Sequence, residues 1–417
     1  MNLARAAVVR TPTAQWQESE GARSRSAVAV ALWASNAHAQ RLERLRLVEG
    51  RNGDYCALPC VPKGSATSVM SQPTEQQPLT DEVLASVVIS TYNRADALSE
   101  TLLALADQDD VGTPYEVIVV DDGSTDQTQE LLSSLETPYE LRLVRHTRNR
   151  GVSAGRNSGM RVAKGTYLIL LSDDLIVPSD FVARHVEAQE RLSDSWIVGG
   201  FRQLEDVTAS PFGRYLDSLE RGYERQRKGP RVGADLWEME WPTARNLCLP
   251  REDLERVGLF DERFRLACED QDLAERAKDV GIRFIYHSGI ECLHNDQHAD
   301  LARYCRLQER GARDTVLYCA KHPERHGRAA IAVVNGPIAA ADGLSLSLRK
   351  LGKDVLSRRW PVAVLRSTIA AAERAKAPDL LLFPLYRLAI ALSIFSGWRE
   401  GLVDFREHFS SAFRPAA

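Results

Sequence analysis

From about residue 85 the apolar and polar positions change period in a regular order. The run 86-SVVIS-90 is short and β-branched, as a buried strand requires. After it, 94-RADALSETLLALADQ-108 spaces Leu98, Leu102, Leu103 and Leu105 as a helix does. The same alternation then repeats. Strand 115-YEVIVV-120 precedes a turn and a helix through 127-QTQELLSSL-135, and strand 140-ELRLVRH-146 precedes a Gly-containing turn and a helix near 152–163. A fourth strand, 166-TYLILL-171, follows.

Strands alternating with helices at this spacing predict an α/β fold with a mainly parallel sheet, right-handed crossovers and helices on its faces. Such sheets bind ligands beyond the carboxyl ends of their strands. Three of those ends are polar: 91-TYNR-94, 121-DDGSTD-126 and 172-SDD-174. They are expected to meet in one cleft.

Beyond residue 185 the pattern loosens, and 205–245 reads as loops and short helices. Regularity returns in 251-REDLERVG-258, a helix stopped by Gly258, and in 260-FDERFRLACEDQDLAERAKDVG-281, where acids open another helix. A last strand is expected over 283-RFIYH-287, and the chain from about 300 reads as mostly helical. Residues 1–80 show weak periodicity, and 62-PKGSATSVMSQPTEQQPLT-80 has linker composition. The expected division is an N-terminal extension over 1–80, a folded α/β domain over 81–300 and a helical region over 301–417.

Composition narrows this picture only slightly. The 417 residues are 44% hydrophobic and 26% charged, with net charge −4, which gives no general attraction to nucleic acid. Seven cysteines without repeated C-x2-C spacing suggest neither a disulfide framework nor a zinc site; Cys56 and Cys60 read as free thiols of a reducing cytosol. Two apolar stretches imitate targeting signals. The run 27-AVAVALWA-34 with 37-AHA-39 begins late for a signal peptide, after Glu18 and Glu20. The run 380-LLLFPLYRLAIALSIFSGW-398 contains Pro384 and Arg387, and a mid-membrane Arg costs roughly 2.5–3.5 kcal/mol, so a buried or interfacial helix is expected. The basic flank 348-LRKLGKDVLSRRW-360 suits an acidic membrane surface or a solvated helix face.

The chemistry sits at the polar strand ends. In 121-DDGSTDQT-128 a turn accounts for Gly123 and Ser124 and an N-cap for Asp126, but neither accounts for Asp121 and Asp122 together. A carboxylate there suits a base N–H or a ribose hydroxyl. Asp173 and Asp174, between apolar residues, suit a hard divalent cation that relieves their repulsion; plain solvation is the alternative. In 268-CEDQDLAERA-277, Asp270 reads either as a helix cap or as a general base facing the cleft, and Asp272 as a structural acid. His294 reads as a third metal ligand, with His287 and His298 as neighbours that could replace it. Arg156 and Arg245 read as phosphate contacts or as partners of nearby acids.

The ordered set 89-ISTYNR-94, 118-IVVDDGSTD-126, 149-NRGVSAGRN-157, 168-LILLSDD-174, 245-RNLCLPRE-252 and 269-EDQDL-273 resembles the family 2 glycosyltransferases, inverting enzymes of GT-A fold. The resemblance covers about residues 85–300. It implies a nucleotide-diphosphate sugar donor, a Mg or Mn cation, and a glycan or lipid-linked acceptor, with a place in cell-surface glycan or polysaccharide synthesis. Ser90, Tyr92, Asp122, Arg156, Asp173 and Arg245 are then expected at the nucleotide sugar. Asp174, with Asp173 and His294, is expected at the metal, and Asp270, with Glu269 beside it, at the acceptor proton. The family's acid two residues before the last Asp is Ser172 here, which leaves the metal to Asp174 and the diphosphate. A cytoplasmic enzyme touching the membrane through its C-terminal region is the expectation.

Three rivals stand beside this reading. A sugar nucleotidyltransferase wants a basic, Gly-rich loop after the first strand, and 90-STYNRAD-96 lacks one. A phosphoacceptor signalling domain has no need of the acids at 269–273. A catalytically inactive sugar-nucleotide-binding module has no need of an acid at 270.

Overall fold

The computed structural model describes residues 45–49, 55–59, 83–109, 112–296, 300–323, 330–338 and 342–405. The signal-like stretch 27–39, the linker 62–80, Cys60 and His298 lie outside the described residues, as does the Cys56 side chain. Two compact units are separated, Met1–Thr74 and Glu75–Ala417. The described residues of the first are an antiparallel pair, β1 (Leu45–Glu49) and β2 (Tyr55–Pro59).

The second unit opens with the predicted alternation. Strand β3 (Ala85–Thr91) leads to helix α1 (Ala95–Ala106), β4 (Tyr115–Asp121) to α2 (Thr128–Ser134), and β5 (Glu140–Arg145) to α3 (Val152–Val162). Then comes β6 (Tyr167–Ser172). These four strands lie in the order β5-β4-β3-β6, all parallel, with Thr91 opposite Asp121 and Ser90 opposite Ser172. Val87, Val88 and Ile89 are wholly buried, because helices cover both faces of a parallel sheet. Helix α3 lies very close to β3. A Cβ on Gly155 would sit 2.0 Å from Ser90 Oγ, and one on Gly159 2.4 Å from Val88 Cγ1. Only glycine lets the helix approach that far.

The sheet continues with mixed polarity. The two-residue β7 (Leu175–Ile176) precedes α4 (Phe181–Arg191) and β8 (Ser195–Gln203). Next come α5 (Glu205–Ala209), α6 (Pro211–Arg227), β9 (Lys228–Arg231) and β10 (Leu236–Met239). The expectation of loops and short helices over 205–245 is therefore corrected. A 17-residue helix and two strands occupy it, and the pattern is hidden because α6 is strongly polar on its outer side. The unit proceeds through β11 (Asn246–Pro250), α7 (Asp253–Val257), α8 (Glu269–Asp279) and β12 (Arg283–His294). Strand β11 runs antiparallel to β6 and β8, whereas β12 runs parallel to β8. The last strand is longer than the five residues expected, because an irregularity between His287 and Glu291 carries the pairing on to His294. The α/β fold with flanking helices and a helical C-terminal part is as expected, with antiparallel pairs completing the sheet beyond β6.

Helices α9 (Leu301–Lys321), α10 (Ala330–Asn335), α11 (Leu344–Leu356), α12 (Arg359–Arg374) and α13 (Asp379–Asp404) form the C-terminal part. Helix α13 contains Pro384 and is long and apolar enough to cross a membrane by length and composition. One side of it is packed into the protein. Leu382, Tyr386 and Trp398 are fully buried, and Tyr386 meets Phe212 of α6 edge-to-face at 5.2 Å.

Candidate active site

The sheet brings three polar strand ends together. Thr91 Oγ1 at the end of β3 donates to Asp173 Oδ2 beyond β6 at 2.7 Å. In the loop after β3, Asn93 N donates to Ser124 Oγ, and Thr125 N donates to Asn93 Oδ1, which joins that loop to the turn after β4. The backbone of Asn93 is left-handed, φ 53°, a conformation asparagine tolerates better than most residues.

Asp173 and Asp174 are both buried, so water does not neutralise them. Arg94 does part of it, with Nη2 2.8 Å from Asp174 Oδ2 and Nη1 3.6 Å from Asp173 Oδ1. His294, at the end of β12, brings Nε2 to 3.1 Å from Asp174 Oδ2. Its Nδ1 lies 2.8 Å from Gln203 Nε2 and 3.3 Å from Glu220 Oε1. Arg245 Nη2 is 2.8 Å from His294 Nε2, and its guanidinium stacks 4.1 Å over the Phe201 ring. One imidazole nitrogen cannot both accept from Arg245 and donate to Asp174, so the protonation of His294 decides between them. Burial and Arg245 oppose its charge, yet Asp174 and Glu220 raise its pKa above the ordinary histidine value. For Asp174, burial is outweighed by His294 and Arg94, and its carboxyl is held well below the usual range. Asp173 goes the other way, raised chiefly by burial. The pair thus divides into a firmly ionised member and one that holds its proton more readily.

The nucleotide-side candidates separate by their partners. Both oxygens of Asp122 are engaged: His146 Nδ1 lies 2.6 Å from Oδ1, and the backbone N–H groups of Arg150 and Gly151 donate at 2.9 and 2.8 Å. It fastens the turn that enters α3. Asp121 instead accepts from Ser124 N at 2.8 Å through Oδ1, and its buried Oδ2 has no hydrogen-bond partner. Ser90 faces the Gly155 gap of α3, and Tyr92 is 42% exposed in the loop after β3.

The start of α8 meets α3, the helix that packs on β3. The helix begins at Glu269 after Cys268, whose φ of 65° turns the chain. Asp270 therefore lies in the first turn and is not the cap. Its Oδ1 accepts from Gln271 N at 3.0 Å. Arg156 Nη1 is 2.7 Å from Glu269 Oε1, and its guanidinium carbon lies 5.5 Å over the Phe260 ring, so this arginine is the partner of an acid. Glu269 Oε2 is buried without a partner. The loop ahead of α8 is held from outside the sheet: Asp314 Oδ2 on α9 accepts from the N–H groups of Arg265, Leu266 and Ala267 at 3.0, 2.7 and 3.0 Å. Asp272 is the structural acid, with Lys321 Nζ at 2.6 Å and His322 Nε2 at 2.9 Å.

His287 stays away from this cluster, beside Gly289. Arg94 and Glu220 belong to it and are missed by sequence reading. Arg94 sits in the quoted 91-TYNR-94, where only its position at a strand end could have signalled it. Glu220 lies in the region that showed no pattern. A small cavity of roughly 60 Å³ opens beside Arg94, lined by Phe212, Leu216, Asp296, Arg303, Tyr304 and Leu307.

Among the described residues, no three His, Cys, Asp or Glu side chains are grouped to hold a metal ion by themselves. Asp174 Oδ1 is nonetheless buried and unpartnered. A single open carboxylate oxygen, with a second carboxylate and an imidazole adjacent, fits a hard divalent cation completed by oxygens of a bound diphosphate.

Residues 86–243 match the family model described as Glycosyl transferase family 2. The uncharacterized glycosyltransferase YfnE of Bacillus subtilis is 29% identical over 254 residues, which span 51% of this chain and 64% of that protein. A dolichol-phosphate mannosyltransferase of Pyrococcus furiosus is 33% identical over 201 residues, 48% of this chain and 56% of its own length. A solved mannosyltransferase, PcManGT from Pyrobaculum calidifontis in complex with GDP-Man and Mn2+, aligns over 79% of this chain and 91% of its own. Its identity is 20% and its TM-score 0.49. The chain spans less than two thirds of the length of these two curated relatives.

Proposed function

Because residues 86–243 belong to glycosyl transferase family 2, we propose that the cleft moves a sugar from a nucleotide-diphosphate donor to an acceptor hydroxyl with inversion. The observation that carries this is a set of buried carboxylate oxygens without a hydrogen bond: Asp174 Oδ1, Glu269 Oε2 and Asp121 Oδ2, the last with Arg145 Nε at 3.7 Å. A fold leaves such acceptors open at a cost of about 1–3 kcal/mol each, so they mark where ligand groups bind. In this reading Asp121 Oδ2 takes an N–H or hydroxyl of the nucleoside, and Asp122 keeps the neighbouring turn in place. Ser90 and Tyr92 border the nucleoside.

Arg94 and Arg245 face the anionic diphosphate, and Asp173 supports the sugar side. A divalent cation held by Asp174, with Asp173 and His294 beside it, would neutralise charge on the leaving diphosphate. Asp270 accepts the proton of the acceptor hydroxyl, whose oxygen attacks the anomeric carbon as the diphosphate departs on the opposite face. The Arg156 pairing holds Glu269, and with it the start of α8, in position for that transfer. A positioned base of this kind contributes about 10²–10⁴-fold in rate.

The acceptor class proposed is a glycan or lipid-linked glycan presented at the cytoplasmic face of a membrane. The name of the Pyrococcus furiosus relative, which includes dolichol phosphate, supports a lipid-linked form.

A thermal-shift screen of nucleotide sugars with and without Mn tests the donor reading, because a ligand that binds only the folded chain raises its melting temperature. One nucleotide class is expected to stabilise the chain in a Mn-dependent way, and Asp174→Ala to abolish the Mn-dependent part. No shift with any nucleotide sugar, or an unchanged Mn-dependent shift in Asp174→Ala, overturns the site.

A further inference from the structure

Helix α11 exposes an apolar stripe where a solvated helix would be polar. Leu344, Leu348, Leu351 and Val355 recur at helical spacing, and all four side chains are exposed, Leu344 to 77%. The next helix, α12, continues the pattern with Trp360, 71% exposed, and with Val364 one turn later. These residues are not a spare core face, because the core of the C-terminal part is formed by other residues, chiefly of α6, α9 and α13.

The charge around the stripe is mostly basic. Residues 344–366 hold six basic side chains, Arg349, Lys350, Lys353, Arg358, Arg359 and Arg366, and one acid, Asp354, in a chain of net charge −4. Four of the six, Arg349, Arg358, Arg359 and Arg366, are exposed. Lys350 is turned inward to Asp342 at 2.6 Å. Exposed leucines and a tryptophan among arginines form the chemistry of a helix lying in a lipid–water interface. The apolar side chains enter the acyl boundary and the guanidinium groups meet anionic headgroups.

We infer that α11 and α12 dock the protein flat on an anionic bilayer, with Trp360 and the α11 leucines as the inserted face. This deepens the membrane placement proposed above by assigning it to α11–α12. Helix α13, the helix of membrane-spanning length, instead stays folded against α6 and α9. That assignment agrees with the burial of its Leu382, Tyr386 and Trp398. Docking through this face would hold the transferase at the surface where a lipid-linked acceptor is found.

The test is flotation of the full chain with vesicles of equal parts phosphatidylglycerol and phosphatidylcholine, against phosphatidylcholine alone. Binding is expected to the anionic vesicles and to weaken with salt. Trp360→Glu with Leu348→Glu should abolish it, and each of Arg349→Ala and Arg359→Ala should weaken it about fivefold. The melting temperatures of these surface variants should equal that of the wild type, which separates lost docking from lost folding. Three results overturn the inference. They are wild type recovered unbound from anionic vesicles, a double variant that floats like the wild type, and a dimer in solution that the double variant dissociates. Each is read independently of nucleotide-sugar binding in the thermal-shift screen, so failure of docking and failure of the transferase reading are distinct.

Discussion

Two of the buried carboxylate clusters among the described residues, around Asp272 and around Asp174, are finished differently. Around Asp272 both oxygens are satisfied. Lys321 Nζ and His322 Nε2 meet Oδ1, and Arg276 Nη2 meets Oδ2 at 3.2 Å. The acid joins α8 to the end of α9, and burial of its charge is more than offset, so its pKa is lowered. Around Asp174 the cations gather on Oδ2 alone, and Oδ1 is left open in the interior. A closed cluster is a clamp. An open one stores affinity for something not belonging to the chain, because a buried acceptor without a partner is a cost that only a ligand recovers.

The sharpest break of this contrast is catalytic. Asp270→Asn keeps the size and loses the basicity, so transfer is expected to fall by about 10²–10⁴-fold while donor binding persists. Transfer near the wild-type rate would remove Asp270 from the role of base. The next effect is on stability. Asp272→Ala leaves Lys321, His322 and Arg276 around an empty place. It is expected to destabilise by about 3 kcal/mol, the low end for a broken buried pair, because Lys321 still reaches solvent. Denaturant titration measures this, and a loss under about 1 kcal/mol would show that Asp272 is not a clamp.

A smaller effect separates the clusters by the sign of their pH dependence. The lowered pKa of Asp272 means its stabilisation is complete above the ordinary Asp value of about 3.9 and is lost as pH falls through the folded value. Asp272→Asn should therefore flatten the acid limb of the stability curve. Asp173 is raised by burial, so the folded state binds its proton more tightly and stability falls as pH rises through that range. Asp173→Asn should remove this fall and raise stability at neutral pH. If both variants flatten the same limb, the two acids are not opposite in kind. The smallest effect expected is at the rim. Tyr92→Ala should weaken nucleotide binding by about 0.5–1.5 kcal/mol, the scale of one aromatic contact, without changing the melting temperature. Calorimetric titration with the nucleotide found in the screen measures it.

The alternation from β3 to β6 was legible because each element declares itself locally. A strand buried on both faces reads as a short β-branched run, and a covering helix repeats its leucines at helical spacing. Topology then placed the strand ends Thr91, Asp121 and Asp173 beside one another before any distance was known. Helix α6 was not legible, because its buried positions, such as Phe212 and Tyr215, pack against helices far along the chain. Its own sequence shows mostly charge.

The division of labour among the acids was likewise outside the reach of sequence. The adjacent letters of 121-DD-122 and 173-DD-174 are chemically equal in the chain. Folding makes them unequal. The turn at Arg150–Gly151 takes up both oxygens of Asp122, whereas Asp121 Oδ2 is left without a hydrogen bond, while Arg94 and His294 ionise Asp174 and burial lifts Asp173. Sequence by itself determined the parallel sheet, the cleft at its strand ends and the residue types that line it, since these follow from local periodicity and the handedness of crossovers. Tertiary structure alone decided which oxygen of which acid remains unpaired. His146, which meets Asp122, and His294, which meets Asp174, lie 24 and 120 positions away, and only the folded arrangement brings them within reach.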